Sequence, residues 1–432
     1  MMEREGTIMA KEKVYKLNTA AAEEPAEQEP VKSGRRHMGV WIAVLLILVI
    51  GIAGGIFWYI YTKRTYDDYE VLSQTASTDA TQMSYVAYNG SLIKYSKEGI
   101  SYLDKEGNAL WMESYKMKQP MVVVSGEYVA AADMNGNAVY IFNKDGKVSS
   151  LETPYTICNL DVASQGVVAV VLENETENYI ELYDKFGASL VEIRTTIADS
   201  GYPMDIALSE DGSKLVTSYI TIDGVTVKNS IAAYNFDDVG QNATDRLVGG
   251  FNNLGDTIIP KVEFLDNDTV CAFGDDQFVI YSMKEKPSEK SVITDFRGEV
   301  QSIFYNSRYI GIIEKNQGDG DSLYQMRVFD TNGNQRFSEP IEFGYRNIYA
   351  TEDEIFVIGA SESRIYDFQG NMKFACGFSR EVENIVPTGS LHKYIVVYDE
   401  GTEVIKLKRA EEEEEEETET TEATTKEQQA EP

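Results

Sequence analysis

Four aspartates, Asp223, Asp256, Asp319 and Asp321, stand in polar segments where a carboxylate could serve as general acid or base. A lyase or hydrolase would use them so. Gln317-Gly-Asp319-Gly-Asp321 and Asp133-Met-Asn135-Gly-Asn137 have the oxygen-rich spacing of calcium loops. Neither ends in the bidentate Glu of an EF-hand, and Asp-Gly and Asn-Gly pairs are also what tight hairpins need. With His37 at the edge of an apolar run and His392 beside a strand, a nucleophile–His–acid triad or a His-ligated metal is not expected. Cys158, Cys271 and Cys376 lie apart in apolar contexts without a CxxC, so they read as buried thiols rather than a disulfide framework or zinc knuckle. No cofactor and no metal are expected, and the chain is not expected to be an enzyme.

Charge narrows the partners. The chain of 432 residues carries 71 acidic and 39 basic side chains, a net −32. Nucleic acid needs a positive footprint to offset its phosphates, and the basic residues form none, so it is excluded as a partner.

The elements that must position these residues begin with a membrane segment. Met38 to Tyr61 holds no charge, and at ~1.5 Å per helical residue it spans a hydrocarbon core of ~30 Å. Trp41 at one end and Trp58, Tyr59 and Tyr61 at the other are interfacial anchors. Bulky aromatics and Lys63-Arg64 follow, where a cleaved signal peptide would have small residues, so an uncleaved signal anchor is expected over 38–62. Lys11, Lys13 and Lys16 add to Lys32, Arg35 and Arg36 on the amino-terminal side, which favours a cytoplasmic amino terminus. Gly51 and Gly55 have GxxxG spacing, which allows a helix dimer. Residues 1–37 lack an apolar period and are expected to be a disordered cytoplasmic tail. The acidic end, 409–432, includes seven consecutive Glu from Glu411 to Glu417 and should be disordered as well.

Between these tails the chain repeats. Ile100-Ser-Tyr-Leu-Asp104-Lys-Glu-Gly107, Val139-Tyr-Ile-Phe-Asn143-Lys-Asp-Gly146, Ile180-Glu-Leu-Tyr-Asp184-Lys-Phe-Gly187, Val328-Phe-Asp330-Thr-Asn-Gly333 and Ile365-Tyr-Asp367-Phe-Gln-Gly370 all run an apolar strand into a polar turn. A looser version recurs at Tyr234 and Tyr281. Strands and tight turns at a period of about forty residues specify a β-propeller. In the second unit the four strands are predicted at Met121–Val124, Tyr128–Asp133, Ala138–Phe142 and Val148–Leu151. The last unit has only three before the acidic tail. Asp68 to Ser73 supplies the fourth, because an unpaired outer strand would leave an open edge. The expectation is an all-β propeller over 66–408 with eight blades, seven being the alternative, closed by its amino-terminal strand.

Asp104-Lys-Glu-Gly-Asn-Ala-Leu-Trp111, Asp330-Thr-Asn-Gly-Asn-Gln-Arg-Phe337 and Asp367-Phe-Gln-Gly-Asn-Met-Lys-Phe374 resemble the DxxGxxxW repeats of quinoprotein-like eight-bladed propellers. That superfamily includes quinone-dependent alcohol dehydrogenases and the propeller lipoprotein of outer-membrane barrel assembly. The dehydrogenases often carry adjacent cysteines, which this chain lacks. Ala207-Leu-Ser-Glu-Asp-Gly-Ser-Lys-Leu215 is similar to the strand–turn–strand motif of other bacterial propellers. Anchor, propeller and tail together resemble uncharacterised single-pass propeller proteins of Gram-positive, clostridial-type bacteria.

Strand order sorts the connections onto two faces. First-to-second and third-to-fourth turns are short, as at Ser125-Gly126 and Asp211-Gly212. The other face receives the longer segments 173–178, 194–202, 221–229, 250–257 and 315–323, and long polar connections on a rigid ring are where binding resides. Arg194, Tyr202, Asp223, Asn252, Asn253, Asp256, Asp319 and Asp321 are the predicted binding residues. The closing strand starts at the short-turn face, so that face is expected to look towards the membrane. The resulting expectation is a non-enzymatic binding or scaffold module of the cell envelope, single-pass in the cell membrane with an extracytoplasmic propeller. Its partner would be an envelope protein or a cell-wall polymer. A loop-carboxylate enzyme and a ligand-sensing transmembrane protein are the alternatives.

Overall fold

The computed structural model describes residues 38–62, 64–76, 83–316 and 322–409. The predicted tail 1–37 and, beyond Arg409, the predicted tail 409–432 lie outside them, as do Asp319 and Asp321. The chain divides into two units, 1–62 and 63–432.

In the first unit, Met38–Thr62 is one helix of 25 residues. Its described side chains, 41–56 with Trp58 and Tyr59, are exposed; those at 38–40, 57 and 60–62, including Tyr61, lie outside the described set. Among the described residues, no helix is long and apolar enough to cross a membrane.

The second unit is a β-propeller of eight four-stranded antiparallel sheets. Seven blades are continuous in sequence, over 84–114, 120–152, 156–196, 202–251, 261–293, 300–341 and 345–377. The eighth combines Val382–Pro387, Lys393–Tyr398 and Gly401–Lys408 with Asp68–Ala76 from the start of the ring. Eight blades is therefore correct and seven is not. The second blade's strands run Pro120–Ser125, Tyr128–Asp133, Ala138–Asn143 and Gly146–Glu152, within two residues of their predicted bounds.

Position within the blade explains the patterning. Second strands are flanked on both faces and edges by protein, so they read as continuous apolar runs. Val168–Leu172, Ile355–Ile358 and Val396–Val397 are fully buried. Outermost strands have one face in water and alternate, as Ala109–Ser114 does. Third-to-fourth turns of the first, sixth and seventh blades are built by the DxxGN pattern, at Asp104, Asp330 and Asp367. Asp330 Oδ1 accepts the N–H groups of Asn332 (2.9 Å) and Asn334 (3.0 Å) while Gly333 takes φ 83°, a conformation that suits glycine.

Closure follows the predicted route and extends it. Asp68 pairs with Lys408 and Ala76 with Gly401, with a bulge between Val71 and Ser73. Ahead of this strand, Tyr66 bridges the outer strand of the seventh blade: its N–H donates to Lys373 O (2.9 Å), and its C=O accepts Ala375 N–H (3.1 Å). Its ring is buried in the core shared by the seventh and eighth blades. The irregular fourth unit owes its spacing to two long strands, Lys214–Asp223 and Thr226–Asn235, and to an insertion with two 3-10 turns before Leu247.

Packing between strands is tight enough to test at one glycine. A Cβ built on Gly311 would lie 2.0 Å from Phe304 Cζ, on the facing strand. Gly311→Ala should cost about 1–3 kcal/mol through overpacking. Adding Phe304→Leu should recover part of it in urea unfolding; an additive pair would show that the ring contact is not the cause.

Candidate functional site

First strands of neighbouring blades lie against one another and line the middle of the ring. Five of them carry a bulge at the same point. Register shifts occur between Ile157 and Asn159, Pro203 and Asp205, Val300 and Ser302, Tyr345 and Asn347, and Val382 and Asn384. A bulge re-aims the residue that follows it, and here that residue is polar every time.

In blades three to six these strands enclose part of a cavity of about 510 Å³. Asn159, Asp161, Asp205, Lys261, Glu263 and Tyr305 are among its lining residues. Asn159 Nδ2 donates to Asp205 Oδ1 (2.8 Å), and Asp205 Oδ2 accepts Val262 N–H (2.8 Å). Asp161 accepts N–H groups from Leu208 (2.7 Å) and Val162 (2.8 Å). Lys261 Nζ lies 3.3 Å from Asp205 Oδ2 and 3.0 Å from Glu263 Oε2, and Tyr305 donates its hydroxyl to Glu263 Oε2 (2.8 Å).

Asp205 and Glu263 thus share one ammonium, whose charge also reaches Asp161. Burial, then the Glu263 charge, pushes the Asp161 carboxyl up to about 7, against the pull of two N–H groups and Lys261. Burial would lower Lys261, but Glu263 and Asp205 outweigh it and hold the ammonium above its usual range. Burial and Glu263 raise Tyr305. Asp161 can therefore hold or release a proton near neutrality. Among the described residues no group of His, Cys, Asp or Glu is placed to hold a metal ion. A larger groove of about 700 Å³ lies at Asp266–Thr269, Lys284, Lys290 and Thr331, but it is an open surface furrow without such convergence.

The raised Asp161 has a signed consequence. Its folded pKa exceeds the unfolded value, so the native state holds the extra proton between about 4 and 7, and its contribution to stability falls as pH rises through that window. His392, pushed down to about 4 chiefly by burial, acts oppositely: its contribution falls as pH drops below about 6.5. Asp161→Asn should therefore flatten the loss of stability between about pH 4 and 7 while leaving the acid limb below that window unchanged. Urea midpoints across pH measure both; parallel curves for the two proteins would refute the assignment.

The predicted binding residues whose side chains are described do not line this cavity. Arg194, on strand Ser189–Thr196, pairs with Glu177, whose carboxyl this hydrogen bond and a second from Tyr179 hold below its usual range. Tyr202, at the start of strand Tyr202–Leu208, reaches Glu173 Oε2 (3.3 Å), as does Cys158 Sγ (3.3 Å). These residues come together around the second-to-third connection of blade three. Asp223 ends a hairpin strand, and its side chain is outside the described set. Asn252, Asn253 and Asp256 are exposed on the connection between blades four and five, where Asn253 Nδ2 lies 3.4 Å from Glu289 Oε2. Of the anchor residues, Trp41, Trp58 and Tyr59 are exposed on the helix, and a Cβ at Gly51 or Gly55 would meet open space within this one chain.

The channel cluster escaped the sequence reading. Its signal was a polar residue inside the first strand of successive units, as in Asn159-Leu-Asp161, Asp205 and Lys261-Val-Glu263. The repeat pattern lies in the third strands and their turns, which leaves the first strands out of register with one another in the sequence.

Several solved structures share this architecture. The chain is similar to Sqt1 of Saccharomyces cerevisiae, with 12% identity and TM-score 0.55 over 80% of this chain and 100% of that one. It is similar also to Sqt1 of Chaetomium thermophilum bound to the N-terminus of the ribosomal protein L10, with 11% identity and TM-score 0.53 over 79% and 100%. BamB from Moraxella catarrhalis aligns with 14% identity and TM-score 0.48 over 79% and 100%. At these identities the likeness is one of fold. No curated protein matches by sequence. A family profile does match, over residues 62–407, and it spans the whole ring: the chain belongs to the Family of unknown function (DUF5711).

Proposed function

We propose that this chain is a membrane-anchored binding module without chemistry of its own. Helix 38–62 holds it to the cytoplasmic membrane with the amino terminus inside, and the ring meets an envelope protein or cell-wall polymer through its long-connection face. The polarity of the ring carries this reading. Asp68 pairs with Lys408, so the chain enters and leaves the propeller at the same rim, whereas the longer connections leave the opposite one. The charge-free run 38–61 and its aromatic ends support the anchor. The L10-bound Sqt1 gives a precedent for a protein partner on this fold. A photoreactive residue at Asp256 should capture one reproducible partner in cells, and the same probe at Asp104, on a short turn, should not. Capture of the same proteins from both positions would defeat the proposal. A dimer through Gly51 and Gly55 belongs to the same reading, and Gly51→Ile with Gly55→Ile should abolish crosslinking between copies.

A channel enzyme is the second reading, favoured by the raised Asp161 beside Glu263 and Tyr305. Incubation with peptidoglycan fragments would decide it: a product formed by the wild type and lost in Asp161→Asn would replace the scaffold reading.

A further inference from the structure

Blade four differs from the others by a hairpin that outgrows its sheet. Strands Lys214–Asp223 and Thr226–Asn235 pair along their whole length, down to Asp223 opposite Thr226. The ladder to the first strand stops at Ile220, and the ladder to the fourth begins only at Ile231. Residues 221–223 and 226–228 therefore project about 10 Å beyond both neighbours, at ~3.3 Å per residue. At the base the hairpin is pinned: Ser218 Oγ donates to Ile259 O (2.7 Å), and Asn229 Oδ1 accepts Ile259 N–H (3.1 Å). At the tip Ile222 is 75% and Val225 101% exposed, and Ile197 on the adjoining connection is 58% exposed. That connection abuts the hairpin, because Gly201 packs against Ile220 O and Thr221 Cγ2.

Native sheets shield their edges with bulges, charges or cover. Here strand edges run beyond cover, capped by two aliphatic side chains. Exposed carboxylates of Glu175, Asp199 and Asp256 stand on the flanking connections, in a chain of net charge −32. They outnumber the exposed cations there, Lys228 on the hairpin and Arg194, which pairs with Glu177. Aliphatic tip, open edge and acidic surround are complementary to one kind of occupant. We propose that this hairpin docks an extended, basic segment of a partner protein, its backbone added to the hairpin edge, its apolar residues on Ile222 and Val225 and its cations facing the carboxylates. The inference rests on the binding-module reading and names the partner's chemistry.

The test uses the full chain in detergent and a fluorescent octapeptide of alternating Lys and Val, with Glu–Val and Lys–Ser octapeptides as controls. Saturable binding of the Lys–Val probe is expected, at least ten-fold tighter than either control. Ile222→Ser with Val225→Ser should weaken it at least ten-fold at unchanged thermal stability. No saturable binding, or equal binding by the variant, would overturn the proposal. So would self-association of the wild type that the variant loses, since a second copy would then be the occupant. Capture from Asp256 that persists in the variant would remove the hairpin's role and leave the binding module standing; loss of capture in the wild type itself would remove both.

Discussion

Arg327→Met is expected to cost about 3–5 kcal/mol of folding stability, because it strands a buried carboxylate. Arg327 and Glu314 are each 1% exposed, on facing strands of the sixth blade, with Nη1 3.4 Å from Glu314 Oε2. The guanidinium also donates to Asp295 Oδ2 (2.9 Å), Asp295 O (3.0 Å) and Gln335 Oε1 (2.9 Å). Glu314 retains the Arg297 N–H (2.5 Å), one neutral donor for a full charge. The contact to Asp295, whose carboxylate is 67% exposed, is screened by water and contributes little. The expected loss therefore belongs to Glu314. The double variant Arg327→Met with Glu314→Leu should recover most of it, since a well-packed apolar pair replaces a buried ion pair at little cost. Urea midpoints of the two single variants and the double variant form the cycle. Additive losses would mean that Arg327 acts by packing over Phe329, 5.0 Å from its ring centre, rather than by charge.

Removing residues 66–76 should open the ring, with a larger effect. Ile405 and Leu407 are buried on the strand that this segment covers. Tyr66 fills the core between the last two blades, with its hydroxyl 3.2 Å from His392 Nδ1. Truncating one buried aromatic of this size costs about 3–5 kcal/mol, and the deletion also removes an entire ladder. The exposed edge of Gly401–Lys408 then becomes a template for another chain. The deleted protein should unfold at markedly lower urea and elute as larger species than the intact protein, and a synthetic peptide of residues 64–78 should restore the elution of the intact protein. An unchanged midpoint would show that the eighth blade holds without its outer strand.

That closure was legible because it follows from counting. Three strands after the last tight turn, an apolar run after the helix and the cost of an open edge leave one arrangement. Blade number followed the same way from Asp104, Asp184, Asp330 and Asp367, since a DxxG turn is a local device whose carboxylate and glycine act within five residues. Strand bounds in the second blade came within two residues because alternation and turn residues are also local signals.

Function was less accessible. The described segments 173–178, 194–202, 221–229 and 250–257 fall on one face, since strand direction alone decides on which side each connection falls. Among their described side chains, Arg194 pairs with Glu177 and Tyr202 reaches Glu173, each a neighbour made by sheet pairing or by adjacent blades. Lys261 is within two residues of Glu263, a pairing any reader could guess. Its approach to Asp205, and the Asn159–Asp205 and Tyr305–Glu263 hydrogen bonds, join residues more than forty positions apart.

By itself, then, the sequence determined the repeat, its strands and turns, the closing segment and the charge-free helix, because each depends on interactions within a few residues or on the need to cover an edge. Tertiary structure alone decided which polar residues meet in the channel and which strands outgrow their sheet. Both depend on how far each blade's strands run past their neighbours and on the bulges that turn one residue inward. Those are properties of the closed ring, where eight first strands must share a single axis.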